Sequence, residues 1–121
     1  MKRILLVDDS SLIRSTVRKL IDGHSDWVVC GEAENGCDGV DKAKHLKPDL
    51  VVMDVVMPEL NGIEASRLLK RFLPKMLIVI FTTFADSHIK AAVLAAGANV
   101  VIDKAEGASL IGNIQQLFAI V

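Results

Sequence analysis

Leu50-Val51-Val52-Met53-Asp54-Val55-Val56-Met57-Pro58-Glu59-Leu60-Asn61-Gly62 is the stretch that decides the fold. Leu50 to Met53 is a short apolar run without polar alternation, the pattern of a parallel strand covered by helices on both faces. Asp54 stands where that run ends, and open α/β sheets gather their chemistry at the carboxyl ends of their strands. Pro58 restrains the loop that follows, and Asn61-Gly62 permits a tight turn into a helix.

Three further runs repeat the arrangement. Ile4-Leu5-Leu6-Val7 leads into Asp8-Asp9, Met76 through Phe81 into Thr82-Thr83, and Val100-Val101-Ile102 into Asp103-Lys104. Working outward, the spacing predicts strands near Arg3–Val7, Val28–Ala33, Leu50–Met53, Leu77–Phe81 and Val100–Ile102. Helices are predicted near Ser11–Asp22, Cys37–Leu46, Ile63–Arg71, Ser87–Ala96 and Glu106–Ile120. Regular alternation implies right-handed βαβ units and an α/β three-layer sandwich around a five-stranded parallel sheet, with strand order 2-1-3-4-5. Pro48 and Pro74 precede strands, and Gly97 is expected to end the fourth helix.

Helix stripes agree. Ile13, Val17 and Leu20 share one face of the first helix, and Ile89, Val93 and Ala96 one face of the fourth. In the last helix Leu110, Ile114, Leu117 and Val121 form the core stripe, while Ile111 and Phe118 lie about 90° around the wheel. That helix is either more deeply buried than the others or offers a contact surface.

At 121 residues the chain reads as one domain, residues 1–121. With 14 Lys+Arg against 15 Asp+Glu the net charge is −1, and no block of like charge suggests direct nucleic-acid binding. Its longest apolar stretch, Met76 to Phe81, is too short to cross a bilayer, and no signal-peptide pattern precedes Asp8, so a cytoplasmic protein without membrane contact is expected. Cys30 and Cys37 have no second Cys/His pair for a zinc site and read as packing residues. The chain stops on apolar Ile120-Val121, which leaves truncation from a longer protein open.

Asp8, Asp9 and Asp54 at adjacent strand ends would repel one another by roughly 4 kcal/mol per pair at about 4 Å and an effective dielectric of about 20. Lys104 neutralises one charge. A divalent cation resolves the rest, and an all-oxygen ligand set favours Mg²⁺ over zinc. Asp54, on the expected central strand, is then placed to act as a nucleophile toward phosphorus, with Lys104 and the Thr82 hydroxyl approaching the transferring group. Asp9 before Ser10-Ser11 would serve equally as a helix cap.

In the order Asp8-Asp9, Asp54, Met57-Pro58 to Gly62, Thr82, Ala96-Gly97-Ala98 and Lys104, the chain resembles the receiver domain of bacterial response regulators, the phosphorylated half of two-component signalling. The resemblance implies a flavodoxin-like fold and phosphoryl transfer from the phosphohistidine of a sensor histidine kinase onto Asp54. It also implies Mg²⁺ held by Asp9, Asp54 and the Val56 backbone carbonyl, with Asp8 acting through water, and Thr82 and Lys104 on the phosphoryl oxygens. Val29-Cys30-Gly31-Glu32-Ala33-Glu34-Asn35-Gly36 is similar to receivers attached to helix-turn-helix transcription factors of the nitrate-regulator type. An output domain or effector would then read the switch, and dimerisation on phosphorylation is left open. The first helix near Ser11 and Arg14 borders the acceptor and is the expected partner surface, although plain exposure would account for Arg14 equally well.

The pattern bends at four places. Val101 stands where receivers usually carry Tyr or Phe, so a ring cannot couple to Thr82 and the signal is expected to travel through the Thr82–Asp86 loop. Phe84 is either a substitute ring or a loop residue packing locally. Ala105 follows Lys104 where Pro is common, and no cis bond is assigned there. Val56 offers no polar group to orient a hydrolytic water, and Thr83 is bulkier than usual, so slow self-dephosphorylation is expected. A phosphatase of the haloacid-dehalogenase type is disfavoured because Val56 stands where its second Asp belongs. A receiver that only binds is disfavoured because all five site residues are present.

Overall fold

The structure, a computed structural model, describes residues 1–120. Strands and helices alternate: β1 Lys2–Val7, α1 Ser11–Asp22, β2 Trp27–Ala33, α2 Gly36–Leu46, β3 Leu50–Met53, α3 Gly62–Phe72, β4 Leu77–Thr82, α4 Ser87–Ala95, β5 Val100–Asp103, a 3₁₀ segment Lys104–Ser109 and α5 Leu110–Ile120. All strand pairs are parallel, in the order β2-β1-β3-β4-β5. This is the predicted flavodoxin-like sandwich, with β3 at its centre.

Period-two alternation sends side chains to two cores. Ile4, Leu6, Leu50, Val52, Val79 and Ile102 meet Val17 and Ile21 of α1 and Leu110 and Ile114 of α5. Leu5, Val7, Val51, Met53, Ile78 and Ile80 meet Val40 and Ala43 of α2, Ala65 and Leu69 of α3 and Val93 of α4. Ile4, Leu5, Ile78 and Ile80 are fully buried, each worth roughly 2 kcal/mol. Burial in the strands flanking β3 thus outweighs a repulsion of a few kcal/mol between the acidic strand ends.

Four helices start on a side-chain cap in the loop that follows a strand. Ser10 Oγ accepts the Ile13 N–H at 3.2 Å, Asn35 Oδ1 that of Asp38 at 2.8 Å, Asn61 Oδ1 that of Ile63 at 2.9 Å, and Asp86 Oδ1 that of Ile89 at 2.9 Å. Each cap is worth about 1 kcal/mol and fixes where its loop ends. Since Ser10 caps α1, Asp9 is left free of that duty. Gly97 ends α4 as expected: at φ 113° its N–H bonds Leu94 O, and the Ala98 N–H bonds Val93 O, the paired closure that favours glycine.

Element bounds agree with the sequence reading to within one residue, except in the last helix. That helix starts at Leu110 rather than Glu106. Asp103 Oδ1 takes the Ala105 N–H at 2.8 Å and Glu106 adopts φ −108°, ψ 37°, so the chain turns as a 3₁₀ segment before the buried Leu110 anchors the helix. Of its side stripe, Ile111 and Phe118 pack against the α1/α5 core, Phe118 edge-on to Trp27 at 5.7 Å. Both side-stripe residues are thus taken up, partly buried, by the helix's own core contacts; Val121 lies outside the described residues.

Two packing assignments need correction. Leu20 is 40% exposed, because α1 turns its i, i+4 row of Ile13, Val17 and Ile21 toward the sheet. Cys37 is exposed, since Gly36, Gly39, Val40 and Ala43 occupy the buried face of α2; Cys30 is partly buried, as expected.

Candidate functional site

Register brings the strand ends together. Val7 pairs with Met53, and the Asp54 N–H continues the ladder to Val7 O at 3.1 Å. Asp54 therefore leaves the sheet beside Asp8, at 6% exposure. Its Oδ1 accepts the Val55 N–H at 2.7 Å and its Oδ2 accepts from Lys104 Nζ at 2.8 Å. The same Nζ lies 2.8 Å from Asp8 Oδ2, so one ammonium bridges two buried carboxylates. Asp8, Asp9 and Asp54 each present an oxygen within 4.8 Å of the others. Asp9 is the exposed member.

Sharing one cation between two buried acids leaves a net negative site. Burial pushes the Asp8 carboxyl above its ordinary value, against the Lys104 hydrogen bond and the Ser10 amide, while the Asp54 charge adds to the push. Burial also works against the Lys104 ammonium, but its hydrogen bonds to Asp54 and Asp8, and their charges, outweigh that and hold it above the ordinary lysine value. An all-oxygen donor set with surplus negative charge, partly open through Asp9, fits a hard divalent cation.

The raised Asp8 value has a stability consequence. A proton on Asp8 is bound more tightly folded than unfolded, so its contribution to stability is present in full below pH 3.8 and is lost as pH rises through the raised folded value. In metal-free buffer Asp8→Asn should therefore gain on wild type between pH 3.5 and pH 7, as read by urea unfolding at the two pH values. A gap that shrinks toward neutrality contradicts the assignment.

Thr82 ends β4 opposite Asp103 and is fully buried, its Oγ1 accepting the Phe84 N–H at 3.2 Å. Phe84 stands 54% exposed in the Thr82–Asp86 loop, which counts against the reading that it packs locally. Val101 faces the α4 side and packs, partly buried, against that core. No cis peptide bond occurs among the described residues.

The loop after Asp54 is shaped differently from the sequence expectation. Its left-handed residue is Glu59, at φ 69°, whereas Asn61 caps α3. Gly62 is needed for proximity instead: its N–H bonds Val55 O at 2.7 Å, and a Cβ there would stand 2.3 Å from Asp54 O. Val56 is buried on neither side, at 53% exposure.

Arg14 was open to reading as a merely exposed helix residue, and that reading fails. Its side chain is 16% exposed, with Nη1 donating to Asp8 O at 2.6 Å and Nε to Glu32 Oε1 at 3.0 Å. Glu32 carried no signal by itself. A β-bulge between Ile4 and Leu5 in the β1–β2 pairing leaves Cys30 unmatched, which reverses the facing of the residues beyond it and turns Glu32 toward α1.

A parallel sheet whose central strand end sets a buried carboxylate beside an acidic pair and a lysine defines an α/β protein with an acidic strand-end site, and comparison with known proteins says which family it is. The chain belongs to the response regulator receiver domain family of two-component systems, whose model matches residues 4–115. It is 37% identical over 103 residues to the chemotaxis protein CheY of Thermotoga maritima, covering 85% of each chain. It is 36% identical over 120 residues to the response regulator GacA of Pseudomonas viridiflava, covering 98% of this chain and 56% of GacA. Among solved structures, a LuxR-family two-component response regulator from Aurantimonas sp. SI85-9A1 superposes with a TM-score of 0.92 at 32% identity, over 97% of this chain and 84% of that one. The chain spans about half the length of several curated relatives it matches.

Proposed function

We propose that this receiver domain stores a phosphoryl group on Asp54, taken from the phosphohistidine of a sensor histidine kinase, and passes the signal to an output domain or effector. The observation that carries the reading is the shared Lys104 ammonium, 2.8 Å from both Asp8 and Asp54. It supplies a cationic donor at the Asp54 carboxylate, where preorganised positive charge favours a transferring phosphoryl group.

An Asp54 oxygen forms the new bond to phosphorus, while the bond from phosphorus to the donor nitrogen breaks and the imidazole leaves with the electron pair. The Val55 N–H fixes the Asp54 carboxylate in orientation, which matters because phosphoryl transfer is mostly positioning and charge stabilisation. Lys104 moves from the carboxylate pair onto a phosphoryl oxygen. Thr82 gives up its Phe84 N–H and turns its hydroxyl toward another, drawing on the Thr82–Asp86 loop. Asp9, Asp54 and the Val56 carbonyl would hold Mg²⁺ directly and Asp8 through water. The protein is a phosphoacceptor rather than a turnover enzyme.

With Val101 too small to swing, the Thr82–Asp86 loop carries the change to α4, whose cap Asp86 lies at its end. The name of one relative, the transcriptional regulatory protein LnrK of Bacillus subtilis, supports a transcription regulator's effector module as the output, and homodimer formation on phosphorylation is one route to it. A cytoplasmic location is part of the proposal and rests on membership of the receiver family; no helix among the described residues is long and apolar enough to cross a membrane.

Incubation with a small acyl phosphate and Mg²⁺, followed by intact mass measurement, tests the reading. One added phosphoryl group, absent in Asp54→Asn, is expected; continuous release of inorganic phosphate would indicate a phosphatase, and no change in mass a binding module. Val56, exposed beside the acceptor, has nothing to orient water, so Val56→Asn should shorten the phosphoryl lifetime several-fold in a decay time course. Equal or faster loss from wild type contradicts this.

A further inference from the structure

We propose that Arg14 is a positioning residue that holds the Asp8–Asp9 peptide in place for the cation, with Glu32 as its anchor. The proposal rests on the reading that the acidic cluster binds Mg²⁺.

The chain leaves the β1 ladder after Val7, and each polar group of Asp8 is then held by a different element. Its N–H bonds Ala33 O at 3.0 Å, its Oδ1 accepts the Ser10 N–H at 2.9 Å and its Oδ2 meets Lys104. Its carbonyl, part of the peptide that joins Asp8 to Asp9, is taken by Arg14 Nη1 at 2.6 Å. Asp9 is exposed, so its carboxylate is aimed by the orientation of that peptide.

Arg14 is itself clamped. Glu32 Oε1 accepts from its Nε at 3.0 Å, while Glu32 Oε2 is occupied by Arg18 Nε at 2.8 Å and Nη2 at 2.7 Å. Lys42 Nζ bonds the Glu32 carbonyl at 2.5 Å. Burial acts against the Glu32 charge, but Arg18 and Arg14 outweigh it and hold the carboxyl below its ordinary value, so it is ionised at neutral pH. A planar guanidinium can serve Asp8 O and Glu32 at once through two fixed donors, which a lysine ammonium on a flexible stem cannot reproduce.

Charge and position predict opposite signs. By Coulomb's law alone, removing a cation beside the acidic cluster tightens Mg²⁺ binding. If Arg14 aims the Asp8–Asp9 peptide, removing it weakens binding, and Arg14→Lys weakens it too although the charge is kept.

Mg²⁺ titration of the full chain by calorimetry, for wild type, Arg14→Gln, Arg14→Lys and Arg18→Gln, decides between them. The expected dissociation constant rises about tenfold in both Arg14 variants and is unchanged or slightly lower in Arg18→Gln, which leaves the Asp8 contact intact. In metal-free protein the Asp9 and Ser10 amides should exchange hydrogen faster in Arg14→Gln while its urea midpoint stays within the range of Arg18→Gln. Should Arg14→Gln fold poorly, Arg14→Lys carries the test. Wild-type or tighter Mg²⁺ binding in a folded Arg14→Lys overturns the proposal while the functional reading stands; wild type that binds no Mg²⁺ overturns both.

Discussion

Lys104→Met should slow phosphoryl uptake from a small acyl phosphate by about 100-fold and lower the metal-free unfolding free energy by about 3 kcal/mol. Two buried carboxylates share this ammonium at 2.8 Å each, and its loss leaves both without a counter-charge. Protonation of Asp8, already favoured by burial, keeps the penalty from growing further. The same substitution removes a cation from the transferring group, where preorganised charge does most of the catalytic work. Mg²⁺ should restore stability more in the variant than in wild type, because ligand binding to the folded state adds to its stability and the ion replaces the missing charge. Urea unfolding with and without Mg²⁺, beside an uptake time course, checks each part. A variant with wild-type uptake would remove Lys104 from the chemistry.

Gly62→Ala carries the second large effect. The added Cβ would lie 2.3 Å from Asp54 O and 2.8 Å from Val55 Cα, against 3.4 Å or more in an ordinary contact. Both neighbours are backbone, so no side-chain rotation relieves the clash, and overpacking of this kind costs about 1–3 kcal/mol. The part that must move is the end of β3, which takes the acceptor with it. We expect a lowered urea midpoint, read from the buried Trp27, together with phosphoryl uptake reduced at least tenfold, since misplacement by about 1 Å weakens catalysis by up to about 100-fold. Retention of the wild-type midpoint and uptake would show that the loop is more compliant than the packing indicates.

The convergent carboxylates, Thr82 and Lys104 were legible in the sequence for a simple reason. Each ends a separate apolar run, and a parallel sheet with buried runs has one way to align their carboxyl ends. The central place of Asp54 followed from the strand order. Arg14 and Glu32 were hidden because their meeting depends on the bulge at Cys30, a change of facing that leaves no trace in composition or periodicity. Had the strand alternated without interruption from Trp27, Glu32 would have faced the α2 side. Gly62 could be recognised as a loop glycine, but its close approach to Asp54 O depends on coordinates rather than on turn preference. The late start of α5 turns on the Asp103 cap and the backbone at Glu106, local competitors that a stripe of apolar residues does not register.

The most direct test of the account is the position of the phosphoryl group. Wild-type protein phosphorylated by an acyl phosphate in Mg²⁺, trapped by borohydride reduction and digested, should carry the reduced residue at position 54 and nowhere else. Label at Asp8, at Asp9 or on a residue outside the strand-end cluster would contradict Asp54 as the acceptor, as would a domain that takes up no label at all.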